Sequence, residues 1–250
     1  FCVSCRRKIM SQISSKSGWE GRKSKGEINS VVFSDIFHKY LTPVENKTCL
    51  EIGCVPGSFL AYICKTFQYS AEGVDYVKDT KAIVNKTLSA NGIKTSTIHE
   101  ANFLEWNNNK KYDLVCSFGF VEHFSGKTNK EVIRKHIDLL KKGGKLIITV
   151  PNFRYLRYLI LFILDKKRLK EHNLTTMSLS YYKKISKEYN LKVLHLDYSG
   201  RLFKVWGLSN LSNNFQKMFF NILKFIGKKV KTKIKTRFLS PYIVFIAEKV

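Results

Sequence analysis

The chain has 250 residues, of which 44% are hydrophobic and 13% aromatic, so it can bury one large core and is neither fibrous nor disordered. Lysine and arginine number 44 against 19 acidic residues, a formal net charge of +25. This excess indicates either an anionic partner (a phosphorylated substrate, an anionic membrane or a nucleic acid) or a general enrichment of surface lysine. No apolar run reaches the ~20 residues of a membrane-spanning helix.

The first thirty residues are polar, serine-rich and basic, and they predict a loose segment without the apolar stretch of a secretory signal peptide. Cys2 and Cys5 form a lone C-x-x-C pair, but no second pair of zinc ligands follows at suitable spacing. The remaining cysteines lie in apolar or glycine-containing segments and suggest no disulfide framework: Cys49, Cys54, Cys64 and Cys116. These features favour a reducing, cytoplasmic location.

Helices and strands are predicted in alternation from residue 31 onward. A helical apolar pattern covers residues 31–40. Strands are then predicted over 48–53, 71–75, 95–101, 112–118, 145–150, 191–198 and 242–248, and helices over 59–67, 80–91, 129–141 and 180–189. This order predicts one α/β domain over residues 31–250, with a mostly parallel sheet of seven strands and helices on both faces.

The most informative segment runs from Leu50 to Ser58 and reads LEIGCVPGS. A strand enters a glycine-containing turn and a helix follows, so the backbone can approach a ligand closely and the helix offers free amide groups. Alone, this pattern fits a nicotinamide cofactor as well as S-adenosylmethionine. Polar or aromatic residues also lie at or just after the ends of the next three predicted strands, at the edge where open α/β sheets bind ligands: Asp75, Asn102, Phe103 and Ser117.

Five segments, LEIGCVPGSF, EGVDYV, EANFLEW, YDLVCSFGFVEHF and LLKKGGKLIITVPN, fall in an order and at a spacing that resemble the class I S-adenosylmethionine-dependent methyltransferases of the small-molecule type. The resemblance covers residues 31–200 and the terminal strand. It implies a Rossmann-like fold and S-adenosyl-L-methionine as the cofactor. It also implies methyl transfer to an oxygen or nitrogen atom of a small-molecule or lipid-linked acceptor.

The same resemblance implies a cofactor site made of Glu51, Gly53, Cys54, Gly57, Asp75, Tyr76, Asn102, Phe103 and Ser117. In that site the Asp75 carboxylate accepts hydrogen bonds from the two ribose hydroxyls, Asn102 meets the adenine amino group and Phe103 covers the adenine ring. Two residues depart from the family pattern. Val55 replaces a glycine and is expected to keep an ordinary backbone, and Asn102 replaces an aspartate common in relatives. A non-catalytic relative with weakened cofactor binding is therefore an alternative.

Glu122 and His123 follow the fourth predicted strand and are the candidate catalytic residues. A histidine titrates near neutral pH, so His123 is the candidate general base, and the alternative is that the pair only orders the loop. Some relatives bind a divalent metal here through E-x-x-E-H, but Gly119 occupies the first position and no metal is predicted. His136 and His172 give no signal for a site, and His136 falls in a helical pattern.

Two stretches, at about 152–178 and 201–240, do not belong to the alternation and are read as insertions. Each begins where a parallel strand ends at the cofactor edge, so both are expected to cap the acceptor end of the sheet. Aromatic and apolar residues in the first predict either an apolar acceptor pocket or ordinary core packing: Phe153, Tyr155, Tyr158, Leu161 and Phe162.

The second insertion carries ten lysine or arginine residues and no acidic residue, with apolar residues at helical spacing from Phe215 to Ile226. A basic amphipathic helix is typical of proteins that bind membrane surfaces or anions, although a solvated basic face is the plainer alternative. We expect the segment from Phe215 to Lys235 to dock on an anionic membrane, which makes the protein peripheral to that membrane. A methyltransferase-like nucleic-acid-binding protein is the alternative function, but no RNA-binding module is recognised and nucleic acid is not an expected partner.

Overall fold

A computed structural model describes residues 23–200, 214–229, 235–238 and 240–250. Most of the N-terminal basic segment and much of the second insertion lie outside the described residues.

Seven strands form one sheet in the order β3-β2-β1-β4-β5-β7-β6. Their bounds are β1 (Thr48–Ile52), β2 (Ser70–Asp75), β3 (Ser96–Glu100), β4 (Tyr112–Phe118), β5 (Leu140–Pro151), β6 (Leu191–Ser199) and β7 (Tyr242–Lys249). The first five strands pair in parallel, and β7 runs antiparallel between β5 and β6. The predicted seven-stranded, mostly parallel Rossmann-like sheet is therefore confirmed.

Helices cover both faces of the sheet. They are α1 (Ser34–Tyr40), α2 (Ser58–Phe67), α3 (Thr80–Ser89), α4 (Gly126–Asp138), α5 (Leu156–Leu164), α6 (Lys166–Lys170), α7 (Leu179–Glu188) and α8 (Asn214–Lys229). Side chains alternate between faces along each strand, so Val115 joins the core under α4 and α7, while Leu114 and Cys116 join the core under α1, α2 and α3. β4 therefore lies between the two cores and is buried on both faces, as its apolar sequence predicts.

The boundary between α4 and β5 differs from the sequence prediction. The helix was expected to end at two glycines after residue 141, but it ends at Asp138, and Leu140 already pairs with Tyr112 in the sheet. Leu140 is buried in the core, and this burial draws the chain into the sheet before the glycines are reached. Gly143, at φ +73°, lies in the irregular start of β5 and ends no helix.

The first insertion consists of α5, α6 and a 3₁₀ turn at Leu174–Thr176, between β5 and α7. Within the second insertion, α8 lies against α5, and the Gln216 side chain donates a hydrogen bond to the Ile163 carbonyl at 2.8 Å. In the ranges that the structure describes, no helix combines the length and the apolar character needed to cross a membrane.

Candidate active site

The glycine turn after β1 adopts the backbone that its sequence predicts. Gly53 has φ +74° and Gly57, which precedes α2, has φ +92°. A side chain at Gly53 would begin 2.7 Å from the ring of Phe120, so only glycine fits there. Val55 is not among the residues with positive φ, as expected, and its side chain is buried in the core. The turn thus brings bare backbone to the carboxyl edge beside the N-terminus of α2.

Asp75 ends β2 and ties this strand to the glycine turn. Its carboxylate accepts hydrogen bonds from the backbone amides of Val55, at 3.0 Å, and Val77, at 3.2 Å. A carboxylate can accept several hydrogen bonds, and bonding of Asp75 to the ribose hydroxyls stays a prediction beside these two. Asp75 is therefore both a positioning group for the turn and a candidate ribose ligand.

Glu51 is buried in β1, directly before the turn. Burial raises the pKa of its carboxyl well above the ordinary value, the Leu60 amide opposes this, and the charge of Asp75 raises the pKa further. One carboxyl oxygen of Glu51 has no hydrogen-bond partner in the described part of the chain. A buried acceptor of this kind is stabilised by a donor from a ligand, and the amino group of a bound amino-acid moiety would supply one.

Asn102 and Phe103 follow β3, as predicted, but they are engaged within the protein. The Asn102 amide oxygen accepts a hydrogen bond from the Leu104 backbone at 3.2 Å and so caps its own turn. The Phe103 ring is buried and meets the rings of Phe120, at 5.9 Å, and His136, at 5.1 Å, nearly edge to face. Contact of these two residues with adenine stays a prediction.

The remaining predicted cofactor residues occupy different depths at the same edge. Tyr76 is one-third exposed next to Asp75, whereas the Ser117 hydroxyl is fully buried at the end of β4. The Cys54 thiol packs against Gly73 of the neighbouring strand, so its side chain faces the sheet and only its backbone belongs to the turn.

S-adenosylmethionine fits these residues on observations of the chain itself. The turn at Gly53 excludes any side chain, α2 presents amide groups beside it, and a buried Glu51 oxygen lies directly before the turn without a partner in the described chain. Gly53, Gly57 and Glu51 would hold the amino-acid part and Asp75 the ribose. When bound, the cofactor supplies a methyl group on a positively charged sulfur.

An aromatic wall stands next to the glycine turn, on the face covered by α1. The rings of Phe59 and Phe118 are stacked at 4.0 Å, Phe37 meets Phe118 at 5.8 Å, and Phe33 meets Tyr242 at 5.1 Å. These residues come from α1, α2 and the carboxyl end of β4, and from the chain just before α1 and the start of β7. Phe59 and Phe118 are the partly buried members of this wall, and Phe33, Phe37 and Tyr242 pack in the core.

Glu122 and His123 lie in a 3₁₀ turn, Val121–His123, at the carboxyl end of β4. The structure adds His172, from the first insertion, whose ring centre lies 4.7 Å from that of His123. Glu122, His123 and His172 each offer one ligand atom, and these atoms all lie within 4.8 Å of one another. His172 was missed by the sequence analysis because no pattern links two segments so far apart in the chain.

Burial controls the titration of this cluster. It raises the pKa of the Glu122 carboxyl to about 8, although the backbone amide of Glu122 opposes the shift. It lowers the pKa of His172, against a hydrogen bond from that ring to the Arg168 carbonyl. Polar groups with shifted pKa values, grouped at the ligand-binding edge of an α/β sheet, are typical of a functional site.

A family of proteins described as a methyltransferase domain matches residues 27–196 of the chain. Solved structures share the fold at low sequence identity. Geranyl diphosphate C-methyltransferase from Streptomyces coelicolor A3(2), solved with S-adenosyl-L-homocysteine, is 15% identical with a TM-score of 0.59, over 86% of this chain and 77% of that one. A mycolic acid cyclopropane synthase is 12% identical with a TM-score of 0.61, over 86% and 82% of the two chains.

The PH0226 protein of Pyrococcus horikoshii OT3 shares the fold over 88% of both chains, with 13% identity and a TM-score of 0.58. No curated protein matches the sequence significantly. The family match spans more than half of the chain and includes the glycine turn, Asp75 and the Glu122–His123 pair. The chain therefore belongs to the methyltransferase domain family and is a class I S-adenosylmethionine-dependent methyltransferase.

Proposed function

We propose that the protein transfers the methyl group of S-adenosylmethionine to an oxygen or nitrogen atom of a lipid-linked acceptor, while docked on an anionic membrane surface. The observation that carries the proposal is an exposed apolar surface formed by the two insertions. A soluble small-molecule acceptor is the plainer form of the same activity. Such an acceptor would not require that surface.

Eleven of the sixteen exposed large apolar side chains of the described chain belong to the insertions. They are Tyr155, Leu156, Tyr158, Leu159, Phe162 and Ile163 around α5, Phe215, Met218, Ile222 and Phe225 on α8, and Phe238. We call them the insertion surface. Single exposed apolar residues are ordinary, but clustering on two helices in contact is typical of a surface that meets a membrane or a partner.

Cations border the insertion surface and favour an anionic membrane as its partner. The Lys166 ammonium lies 4.3 Å from the centre of the Phe162 ring, and the guanidinium groups of Arg154 and Arg237 lie 5.5 Å and 5.4 Å from that of Tyr155. Each lysine or arginine near an anionic surface contributes about 1 kcal/mol. The segment expected to dock also contains Lys231 and Lys233, which lie outside the described residues, and Lys228 and Lys229, whose side chains do.

The position of the insertion surface in the fold favours a lipid-linked acceptor. β5 ends at Pro151, at the cofactor edge, and α5 begins five residues later, so the insertion surface starts beside the aromatic wall. A lipid held at a membrane would reach the glycine turn along this side. Two structural neighbours carry in their names molecules with a hydrocarbon chain and an acidic head group, geranyl diphosphate and mycolic acid, which agrees with a lipid-like acceptor on this fold.

Methyl transfer requires little of the protein beyond alignment of the two reactants. The acceptor atom attacks the methyl carbon, the carbon–sulfur bond breaks, and its electron pair stays on sulfur. Holding the two reactants in line supplies most of the acceleration. We assign His123 as the base that takes the proton from the acceptor, with Glu122 and His172 positioning it. The expected product is S-adenosylhomocysteine with a methylated acceptor.

Vesicle flotation tests the docking. The full chain should bind vesicles of phosphatidylglycerol and phosphatidylcholine at low salt, bind more weakly at high salt, and ignore pure phosphatidylcholine. The variant Leu159→Asn/Phe162→Asn should lose roughly tenfold or more in binding, since each buried apolar side chain contributes about 1.5–3 kcal/mol. Replacing Lys228, Lys229, Lys231 and Lys233 with glutamine should also abolish binding.

Val193→Asn is the matched control, because Val193 is exposed on β6, outside the insertion surface. Methyl transfer is measured separately, with labelled S-adenosylmethionine and either a lipid extract or an aqueous metabolite extract as acceptor. Label in the lipid phase supports the proposal. A chain that ignores anionic vesicles at low salt and labels only aqueous compounds would contradict it.

A further inference from the structure

The cluster of Glu122, His123 and His172 is held together by backbone contacts between two distant segments. The Asn173 amide donates to the Glu122 carbonyl at 2.7 Å, and the Asn173 side chain donates to the Phe124 carbonyl at 2.9 Å. These bonds fix the start of the 3₁₀ turn at 174–176 on the one at 121–123. His172 is consequently placed by main-chain geometry and not by a flexible loop tip.

The ring of His172 is oriented as a metal-binding histidine is. Its Nδ1 lies 2.7 Å from the Arg168 carbonyl oxygen, which only accepts hydrogen bonds, so Nδ1 carries the proton and Nε2 carries the lone pair. Histidine ligands almost always have their second nitrogen fixed in this way. The ring also meets Phe153 nearly edge to face at 5.0 Å, which limits its rotation.

Glu122 supplies the second observation. Its side chain is 98% buried, at 2% exposure, and its Oε2 has no hydrogen-bond partner among the residues that the structure describes. A buried carboxyl oxygen without a partner is costly, by about 1–3 kcal/mol or more, unless a ligand satisfies it. This oxygen belongs to the same cluster as the two imidazoles.

We propose that Glu122, His123 and His172 bind one divalent transition-metal ion of the zinc class at the acceptor end of the sheet. Two imidazoles and one carboxylate are a ligand set of catalytic zinc sites, whereas Mg²⁺ and Ca²⁺ prefer oxygen ligands alone. On a tetrahedral zinc the ligand atoms lie about 3.4 Å apart, so the present spacing of up to 4.8 Å closes by side-chain rotation.

Three protein ligands leave a fourth position for an acceptor oxygen or a water molecule. A divalent ion beside the acceptor oxygen would lower the pKa of that oxygen, and with the ion bound His123 would be a metal ligand in place of the base role assigned above for the metal-free chain. Binding of the ion stands independently, but this role rests on the methyl transfer proposed above. The absence of a glutamate at Gly119, which led the sequence analysis to predict no metal, is offset by a ligand from the insertion.

Metal titration of the untagged full chain tests the site. After treatment with a chelator and dialysis, Zn²⁺ is titrated by calorimetry, and Co²⁺ by its visible absorption, which becomes intense when the ion passes from six water ligands to a four- or five-coordinate site. We expect one equivalent to bind, with Mg²⁺ failing to compete. His172→Ala and Glu122→Gln should each weaken binding by roughly 10²-fold or more, since loss of a ligand exceeds the 10–100-fold effect of its supporting groups.

His38→Ala is the matched control, because His38 is a part-buried histidine that bonds Tyr62 on α2, away from the cluster. It should bind Zn²⁺ as the unmodified chain does. Thermal melting of each variant checks folding. If the folded chain binds no Zn²⁺ or Co²⁺, or if the folded His172→Ala variant binds as tightly as the unmodified chain, the metal site is wrong.

Two measurements separate this proposal from the proposed function. Methyl transfer that persists after complete chelation, without metal binding, overturns the metal site and leaves the transferase and the base role of His123 intact. Stoichiometric Zn²⁺ binding without methyl transfer to any lipid or aqueous acceptor supports the metal site and counts against the proposed function. Loss of transfer on chelation, with recovery on Zn²⁺ addition, supports both.

Discussion

The carboxyl edge of the sheet has two halves that are built differently. In the cofactor half, at the ends of β1, β2 and β3, polar side chains bond to backbone within their own or the adjacent turn, as Asp75 does with Val55 and Val77. In the acceptor half, at the ends of β4 and β5, partners come from far along the chain, as when Asn173 bonds the turn that contains Glu122.

The halves also differ in what they leave unsatisfied. The acceptor half holds a buried Glu122 oxygen without a partner in the described chain and lies next to the insertion surface. The cofactor half has an analogous oxygen at Glu51, but its aromatic and apolar side chains are mostly buried. Backbone turns next to one another can form the binding site of a ligand that a whole family shares. Long-range contacts and exposed apolar groups distinguish the half of the edge where we propose that the acceptor binds.

The largest effect is expected at the glycine turn. Gly53→Ala forces a side chain into positive φ, at about 1–2 kcal/mol, and into the Phe120 ring 2.7 Å away, at about 1–3 kcal/mol more. We expect the free energy of unfolding, measured by urea denaturation, to fall by about 3 kcal/mol. Gly92→Ala is the control: it has a similar φ, +80°, with nothing within 4 Å, and should lose about 1 kcal/mol. Equal losses would show that Phe120 yields and that the turn is not tightly covered.

His123 gives the next largest effect, confined to the acceptor half. As base or as metal ligand it acts on the acceptor, so His123→Ala should lower turnover by about 10²-fold or more. The cofactor dissociation constant, measured by calorimetry, should stay within about twofold. His99→Ala, a change on β3 that breaks a bond to Glu72, is the control and should leave turnover unchanged. A near-normal rate for His123→Ala would mean that alignment of the reactants accounts for the rate and that His123 is not needed as a base or a metal ligand.

Asp75→Ala tests the cofactor half. Hydrogen bonds to a charged acceptor contribute about 1.5–3 kcal/mol each, so S-adenosylmethionine affinity should fall at least about tenfold. Asp113→Ala is the control, because Asp113 accepts bonds from Thr48 and Lys141 at the opposite end of β4 and should affect stability without affecting affinity. Unchanged affinity in a folded Asp75→Ala protein would mean that Asp75 does not hold the ribose and acts within the protein, where it bonds the Val55 and Val77 amides.

The sequence predicts the strands and the turn of the cofactor half well because their signals are local. β1 and β2 end within one residue of their predicted ends, and a glycine turn follows β1 as expected, since an apolar run and a glycine each act within a few residues. The acceptor half is harder to predict. His172 carries no pattern of its own and gains its place only when Asn173 pairs with the turn after β4. The start of β5 was predicted too late in the chain for a similar reason: burial of Leu140 outweighs the local signal of the two glycines that follow it.

The smallest effect is expected at Asn173, and it sharpens the comparison most directly. Asn173→Ala removes a bond to the Phe124 carbonyl, at 2.9 Å, and one from the Thr175 amide, at 3.0 Å, while the backbone bond to Glu122 stays. Each such bond contributes about 0.5–1.5 kcal/mol, so amide hydrogen exchange should quicken over residues 166–177 and turnover should fall about fivefold. Cofactor affinity should not change.

Asn108→Ala is the matched control for this change. Asn108 also caps its own turn, accepting from Lys110 at 2.9 Å and donating to the Tyr112 hydroxyl at 2.6 Å, but it lies before β4, away from the acceptor edge. It should speed exchange locally and leave turnover as it is. If Asn173→Ala weakens cofactor binding as much as it slows turnover, the two halves of the edge are stabilised together, as one cooperative unit. The insertion then supports the whole edge, and its role is not limited to the acceptor.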